Sequence, residues 1–260
     1  MDLFNYSPDT LLSFFLTLFR CSLLIFLLPF FGGESVPKTV KPAVCLVMAV
    51  ALFPYLHVPG SLFPSHPFTI CIMLLGEITL GLVLGLVMRF LFAAVQTGGQ
   101  LIGFQMGFAM VSAIDPDTGV QEAVTSHFLY MVSLLTFLSL DGHLIMLSGL
   151  AQSFKMVPPG SLFLSPQLTE QILAFSANIF VLAVKIASPV MVALFMVDLA
   201  LALVGRAAPQ MNILIIGFPL KISVGMFFFG LLFTTLSMYI EQFITHMPVM
   251  FYRLLDAAHI

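Results

Sequence analysis

The chain has 260 residues, of which 60% are hydrophobic and only 8% charged, against about 25% charged in ordinary soluble domains. With a mean hydropathy of +1.11, it has too little polar surface to cover a soluble globule, so membrane insertion or burial in a hydrophobic assembly is close to forced. A formal charge of -3 with no basic cluster speaks against nucleic acid as a partner. Cys21, Cys45 and Cys71 stand singly in apolar runs and read as small hydrophobes rather than disulfide or metal ligands. Trp is absent while Phe numbers 28, so an interfacial belt would lack its Trp component.

In chain order, the runs predict helices throughout and no strand. Pro8 suits a first helical turn capped by Ser7 or Asp9, and a helix is expected over residues 10–31, ended by Gly32 and Gly33. Its acidic start (Asp2, Asp9) and the lack of a small-x-small site make it a retained helix rather than a signal peptide. A second run, residues 43–55, is short for a crossing, which takes about 20 residues. Pro54, Pro59, Pro64 and Pro67 then break any helix. The third run, 68–95, holds Glu77 and Arg89, about 18 Å apart along a helix axis and unable to pair.

After the segment 96–122 comes a helix over 123–140, interrupted by Asp141-Gly142-His143 and resuming to Phe154; Pro158, Pro159 and Gly160 make a turn. The fifth run, 168–204, carries Lys185, Pro189 and Asp198, and Pro189 is expected to kink or split it. A polar turn over 205–212 leads to the last run, 213–240, with Pro219 and Lys221. The tail, 241–260, carries Glu241, His246, Arg253 and Asp256 and reads as amphipathic. Conventional counting gives about six long apolar runs in one all-α domain. Placing Lys38, Lys41 and Arg206 on the cytoplasmic side leaves Lys155 and Arg253 outside, which slightly favours an outside N-terminus.

Residues 96–122 are neither a plain span nor a plain loop. Gly99, Gly103 and Gly107 recur every fourth residue, so on a helix they form a side-chain-free strip that another backbone can approach closely. Phe108, Met110, Val111 and Ile114 follow, and Asp115-Pro116 suits a type I turn with Gly119 beyond. The segment fits a narrow, mobile constriction, but on these residues alone it reads first as a tightly packed helix end followed by a surface turn.

Six charges, Arg20, Glu77, Arg89, Lys185, Asp198 and Lys221, fall in or near apolar runs. Each costs about 2.5–3.5 kcal/mol at a helix centre. They are expected either to line a pathway or bridge to other subunits, or to pair within the chain and snorkel from span ends. Chemistry is not indicated. There is no HExxH, GxSxG, Walker loop or GxGxxG, and the six histidines share no metal spacing. Asp115-x-Asp117-x-Gly119 lacks the other ligands of a calcium loop. Asp141-Gly142-His143 reads as a helix break before it reads as a proton-transfer pair. The chain is expected not to be an enzyme, and no cofactor is implied.

Several ordered stretches resemble the FliR family, the R subunits of the flagellar type III protein-export gate, related to the T subunits of virulence-type secretion. They are Glu77-x-x-x-Gly81-x-x-x-Gly85; Ala93-Ala94 leading to Gly99-Gln100-x-Ile102-Gly103-x-Gln105-Met106-Gly107; Asp115-Pro116; Asp141-Gly142-His143-Leu144; Ser153-Phe154 before Pro158-x-Gly160; and Arg206-x-Ala208-Pro209-Gln210-x-Asn212 through Gly217-x-Pro219-x-Lys221. The match spans about residues 37–221 and favours the flagellar branch.

The resemblance implies kinked helical hairpins, largely raised out of the bilayer. They would be built with a FliP pentamer and FliQ, and with FlhB and FlhA, into a gate at the flagellar basal body in the bacterial inner membrane. Unfolded flagellar proteins would be the cargo. Residues 104–119 would be the plug loop, with Met106, Phe108, Met110, Val111 and Ile114 as its apolar surface and Asp115 and Pro116 as its turn. Gly99, Gly103, Gly107, Glu77, Gly81, Gly85, Lys185, Asp198, Arg206, Pro209, Gln210 and Lys221 would be packing or interface positions. The alternative is a small-solute or ion transporter using buried charges on broken helices.

Overall fold

The computed structural model describes residues 8–32, 36–53, 66–108, 124–158, 160–162 and 165–258. Its elements are helices: α1 (Pro8–Leu27), α2 (Pro29–Gly32), α3 (Val40–Leu52), α4 (Pro67–Met106), α5 (Val124–Ser139), α6 (Gly142–Met156), α7 (Pro166–Ala207) and α8 (Ile213–Ala257). There is no strand among the described residues, as the apolar periodicity predicts. α1, α2, α4 and α7 each begin on a proline, whose missing N–H would have had no partner in a first turn. Ser165 then caps α7: its Oγ accepts the Leu168 N–H at 3.1 Å and donates to the Ala257 carbonyl at 2.6 Å.

α1, α4, α7 and α8 are long and apolar enough to cross a membrane, and the broken pair α5–α6 raises the number to five. The sixth apolar run is α3, with 13 residues.

Two proline effects differ from expectation. The first run does not stay whole to residue 31: Leu28 is a bend and α2 restarts at Pro29. Pro29 has no N–H for the Ile25 carbonyl, which instead accepts from Leu28 at 3.2 Å. Of the kink or split expected at Pro189, the split does not occur: α7 is one helix of 42 residues. The carbonyl that residue 189 would have bonded is that of Lys185, and the Ser188 hydroxyl donates to it at 3.0 Å. α8 likewise runs through the exposed Pro219. Ser188→Ala is therefore expected to lower thermal stability in detergent by about 1 kcal/mol. The cost should vanish in a Pro189→Ala background, where the new N–H satisfies Lys185; an equal cost in both backgrounds would disprove this account.

The chain divides into two compact units. The first is Met1–Phe90, Asp141–Phe175 and Ile244–Ile260; the second is Leu91–Leu140 and Ser176–Phe243. α4, α7 and α8 each contribute a segment to both.

In the first unit, α1 packs on α4 through glycine. A Cβ at Gly81 would stand 2.7 Å from the Arg20 carbonyl oxygen, and one at Gly85 would stand 2.5 Å from Leu27. Leu16, Leu24, Leu80, Leu84 and Met88 fill the core here. The last turns of α8 bury Ile244, Met247, Phe251, Leu254 and Leu255 at helical spacing, and expose Glu241, His246, Arg253 and Asp256. Phe251 packs against Gly149 of α6, where any side chain would collide with its ring. Asp141 stands at the N-cap of α6, a left-handed residue with φ 56. Aspartate tolerates that conformation better than most, and its carbonyl accepts the Leu144 and Ile145 N–H groups.

In the second unit, several aromatic pairs pack edge-to-face. Phe92 of α4 meets Tyr130 and Phe137 of α5 at 5.7 and 5.8 Å between ring centroids. Phe128 and Phe233 meet at 5.9 Å. Each such pair adds about 0.5–1.5 kcal/mol beyond its buried area.

Candidate functional site

The end of α4 in the second unit is where glycine does most. A Cβ at Gly98 would lie 3.0 Å from the Ala183 carbonyl of α7, and one at Gly99 would lie 2.5 Å from the Ser126 Cα of α5. Adjacent positions thus bring two different helices to backbone contact. Hydroxyls fasten the α5 contact: Thr125 Oγ1 donates to the Gly99 carbonyl at 2.8 Å and Ser126 Oγ to that of Gln96 at 2.9 Å. On the α7 side, Gln105 Nε2 donates to the Met191 carbonyl at 3.0 Å.

Gly103 is buried within the helix, but Gly107 has a different job from the strip expected of it. α4 ends at Met106, and Gly107 takes φ +93, a region open to glycine. Its N–H bonds to the Phe104 carbonyl at 3.1 Å and that of Phe108 to Gly103 at 3.0 Å, the paired bonds of a Schellman end. Met106 is fully buried against Gly225 of α8, where a Cβ would come within 2.8 Å of its Cγ. Phe108 is half-buried. The chain therefore leaves α4 in a fixed direction. Met110, Val111, Ile114, Asp115 and Pro116 lie outside the described residues.

Of the six charges in apolar runs, four pair within the chain. In the first unit, Arg20 and Glu77 are both buried, with Arg20 Nε 2.5 Å from Glu77 Oε2. Arg20 Nη1 also donates to Ser153 Oγ at 3.3 Å and to the Val157 carbonyl at 3.1 Å, and the guanidinium lies 4.3 Å over the Phe154 ring. Glu77 Oε1 accepts the Gly160 N–H at 3.0 Å. One ion pair so ties α1 and α4 to the end of α6 and the turn beyond it.

Sequence reasoning named both residues without joining them. The available signal was spacing: Glu77, Gly81 and Gly85 share one face of α4, so whatever helix packs on the glycines must answer the carboxylate.

In the second unit, Asp198 of α7 pairs with Lys221 of α8. They border a cleft of about 220 Å³ lined by Leu201, Ala202, Ile213, Leu214, Gly217 and Phe218. Arg206, Pro209 and Gln210 are exposed at the turn that joins the two helices, and Arg89 and Lys185 are exposed on helix faces.

Residues 11–247 match the family model described as bacterial export proteins, family 1. The chain is 35% identical over 225 residues to the flagellar biosynthetic protein FliR of Bacillus subtilis (strain 168), covering 85% of each. It is 33% identical over 229 residues to FliR of Escherichia coli (strain K12), covering 88% of this chain and 87% of that one. It is 32% identical over 180 residues to the Yop proteins translocation protein T of Yersinia pestis, covering 68% and 66%. With the family model matching nearly the whole chain, it belongs to the bacterial export proteins, family 1.

Proposed function

We propose that this chain is a structural subunit of a bacterial flagellar protein-export apparatus. It acts in the inner membrane at the basal body, assembled with the FliP pentamer, FliQ, FlhB and FlhA, and passes unfolded flagellar proteins. Residues 104–119 close the path, with Met106 and Phe108 at the root of the closure, Met110, Val111 and Ile114 as its apolar surface, and Asp115-Pro116 as the turn that holds it. The observation that carries this reading is the glycine-packed end of α4. Backbone contacts at Gly98 and Gly99 and the cap at Gly107 hold the end of α4, directly before the apolar segment in the sequence.

A transporter working through broken helices finds no support in α7 and α8, which run through Pro189 and Pro219 unbroken and whose Asp198 and Lys221 neutralise each other; the broken pair is α5–α6.

Apolar side chains that narrow a path exclude water, and a dry constriction blocks ions. Deleting residues 110–119 is therefore expected to leave an assembled complex that leaks small ions, read as membrane conductance or ion-dependent growth arrest at normal expression. An assembled complex in a tight membrane would place the barrier in a partner and sink the closure role.

A further inference from the structure

Successive residues at the end of α4 rest on α7 and α8, all within the second unit. Gln105 bonds to the Met191 carbonyl of α7, Met106 fills the notch at Gly225 of α8, and the Gly107 turn meets the ring of Phe218, also of α8. A Cβ on Gly107 would stand 2.9 Å from Phe218 Cε1 and 3.1 Å from its Cδ1. The half-buried ring of Phe218 also forms part of the wall of the cleft of about 220 Å³ between α7 and α8. One side chain thus touches both the root of the apolar segment and the cleft.

The neighbours of Phe218 in the chain favour movement. Gly217 bears no side chain, and Pro219 has no N–H for the Ile215 carbonyl, so the turn of α8 that carries the ring lacks one backbone bond. In a helix the χ1 angle of an aromatic side chain takes either of two values, about 180° or about −60°, and a change between them displaces the ring. A cavity of about 150 Å³ takes up benzene, so the cleft has room for a phenyl ring. At its border the Asp198–Lys221 pair ties α7 to α8, which keeps the walls at one spacing while the ring moves.

We propose that Phe218 is the positioning residue of the closure. Its ring braces the Gly107 turn while the path is shut, and turns into the α7–α8 cleft when the path opens. The inference rests on the closure by residues 104–119 proposed above and names the side chain that holds it.

The test compares two variants, each made in the full apparatus at normal expression, with assembly, membrane conductance and export of flagellar proteins as readouts. Phe218→Ala removes the brace and is expected to give an assembled complex with ion conductance raised several-fold. Ala202→Leu adds an isopropyl group in the cleft wall, where it competes with the ring's open position. Ala202 is exposed, so the shut arrangement accepts the larger side chain. This variant is expected to keep the membrane tight and to lower export about fivefold or more, given the usual cost of overpacking one of two states. A purely structural role would instead lower assembly and leave the conductance of the assembled complex unchanged.

A tight membrane with assembled Phe218→Ala complex would overturn the proposal, and so would undiminished export with Ala202→Leu. If Phe218→Ala prevents assembly, the export of the Ala202→Leu complex decides; failure of both to assemble would make ring and cleft structural and also overturn it. Deletion of residues 110–119 in the same cells separates the two levels. A leak with the deletion but not with Phe218→Ala sinks only the brace, whereas no leak with the deletion sinks the closure and the brace with it.

Discussion

Glu77→Gln is expected to destabilise the first unit by about 3–5 kcal/mol, because it strands the Arg20 guanidinium in an apolar interior without its counter-charge. Arg20 and Glu77 are both fully buried, and the Gly160 N–H loses an ionised acceptor in the same step. Arg20→Met should be comparably harmful, since the Val157 carbonyl then loses its donor as well. The double change Arg20→Met with Glu77→Leu is expected to recover most of the loss, as apolar replacement of a buried pair commonly does. Unfolding of the purified chain in detergent, followed by protease resistance, reads all four forms. A Glu77→Gln chain as resistant as the unchanged one would show that the pair contributes nothing.

The next largest effect is expected at Gly99. A methyl there meets the Ser126 backbone, with Cα at 2.5 Å and N at 3.0 Å, and backbone cannot swing aside as a side chain can. Gly99→Ala should cost at least about 1–3 kcal/mol, the usual range for overpacking, and should break the Thr125 and Ser126 hydroxyl bonds as α4 and α5 part. Gly230 is the internal control. A Cβ there meets nothing within 4 Å, so Gly230→Ala should gain about 0.5–1 kcal/mol from helix propensity. The two variants are compared by thermal unfolding in the same detergent; equal melting temperatures would remove the close-packing argument for the end of α4.

Helix content, the break at Asp141 and the turn after α6 were legible because each is set by local chemistry: apolar run length, a left-handed residue, a proline. The ends of elements were less so. Pro189 looks like a breaker until Ser188 is seen to satisfy the Lys185 carbonyl, and Pro29 looks tolerable until the bend at Leu28 is seen. At the candidate site, the close approach at Gly99 follows from spacing, but the same spacing hides that Gly107 ends the helix instead of lining it. The pairing of Arg20 with Glu77 was not readable residue by residue, since it depends on which two helices pack. Only the shared face of Glu77, Gly81 and Gly85 hints at it.

The first unit is assembled from pieces of chain made at very different times. The Ser165 hydroxyl waits for the Ala257 carbonyl, and Gly149 waits for Phe251. By the time residues 244–258 leave the ribosome, all of the second unit's segments have already been synthesised. The newborn protein therefore holds an unfinished first unit through most of its translation, with the α6 face that receives Phe251 still open to chaperones and membrane proteases. A translation pause before residue 244 is therefore expected to leave the Gly149 face of α6 without Phe251 for longer.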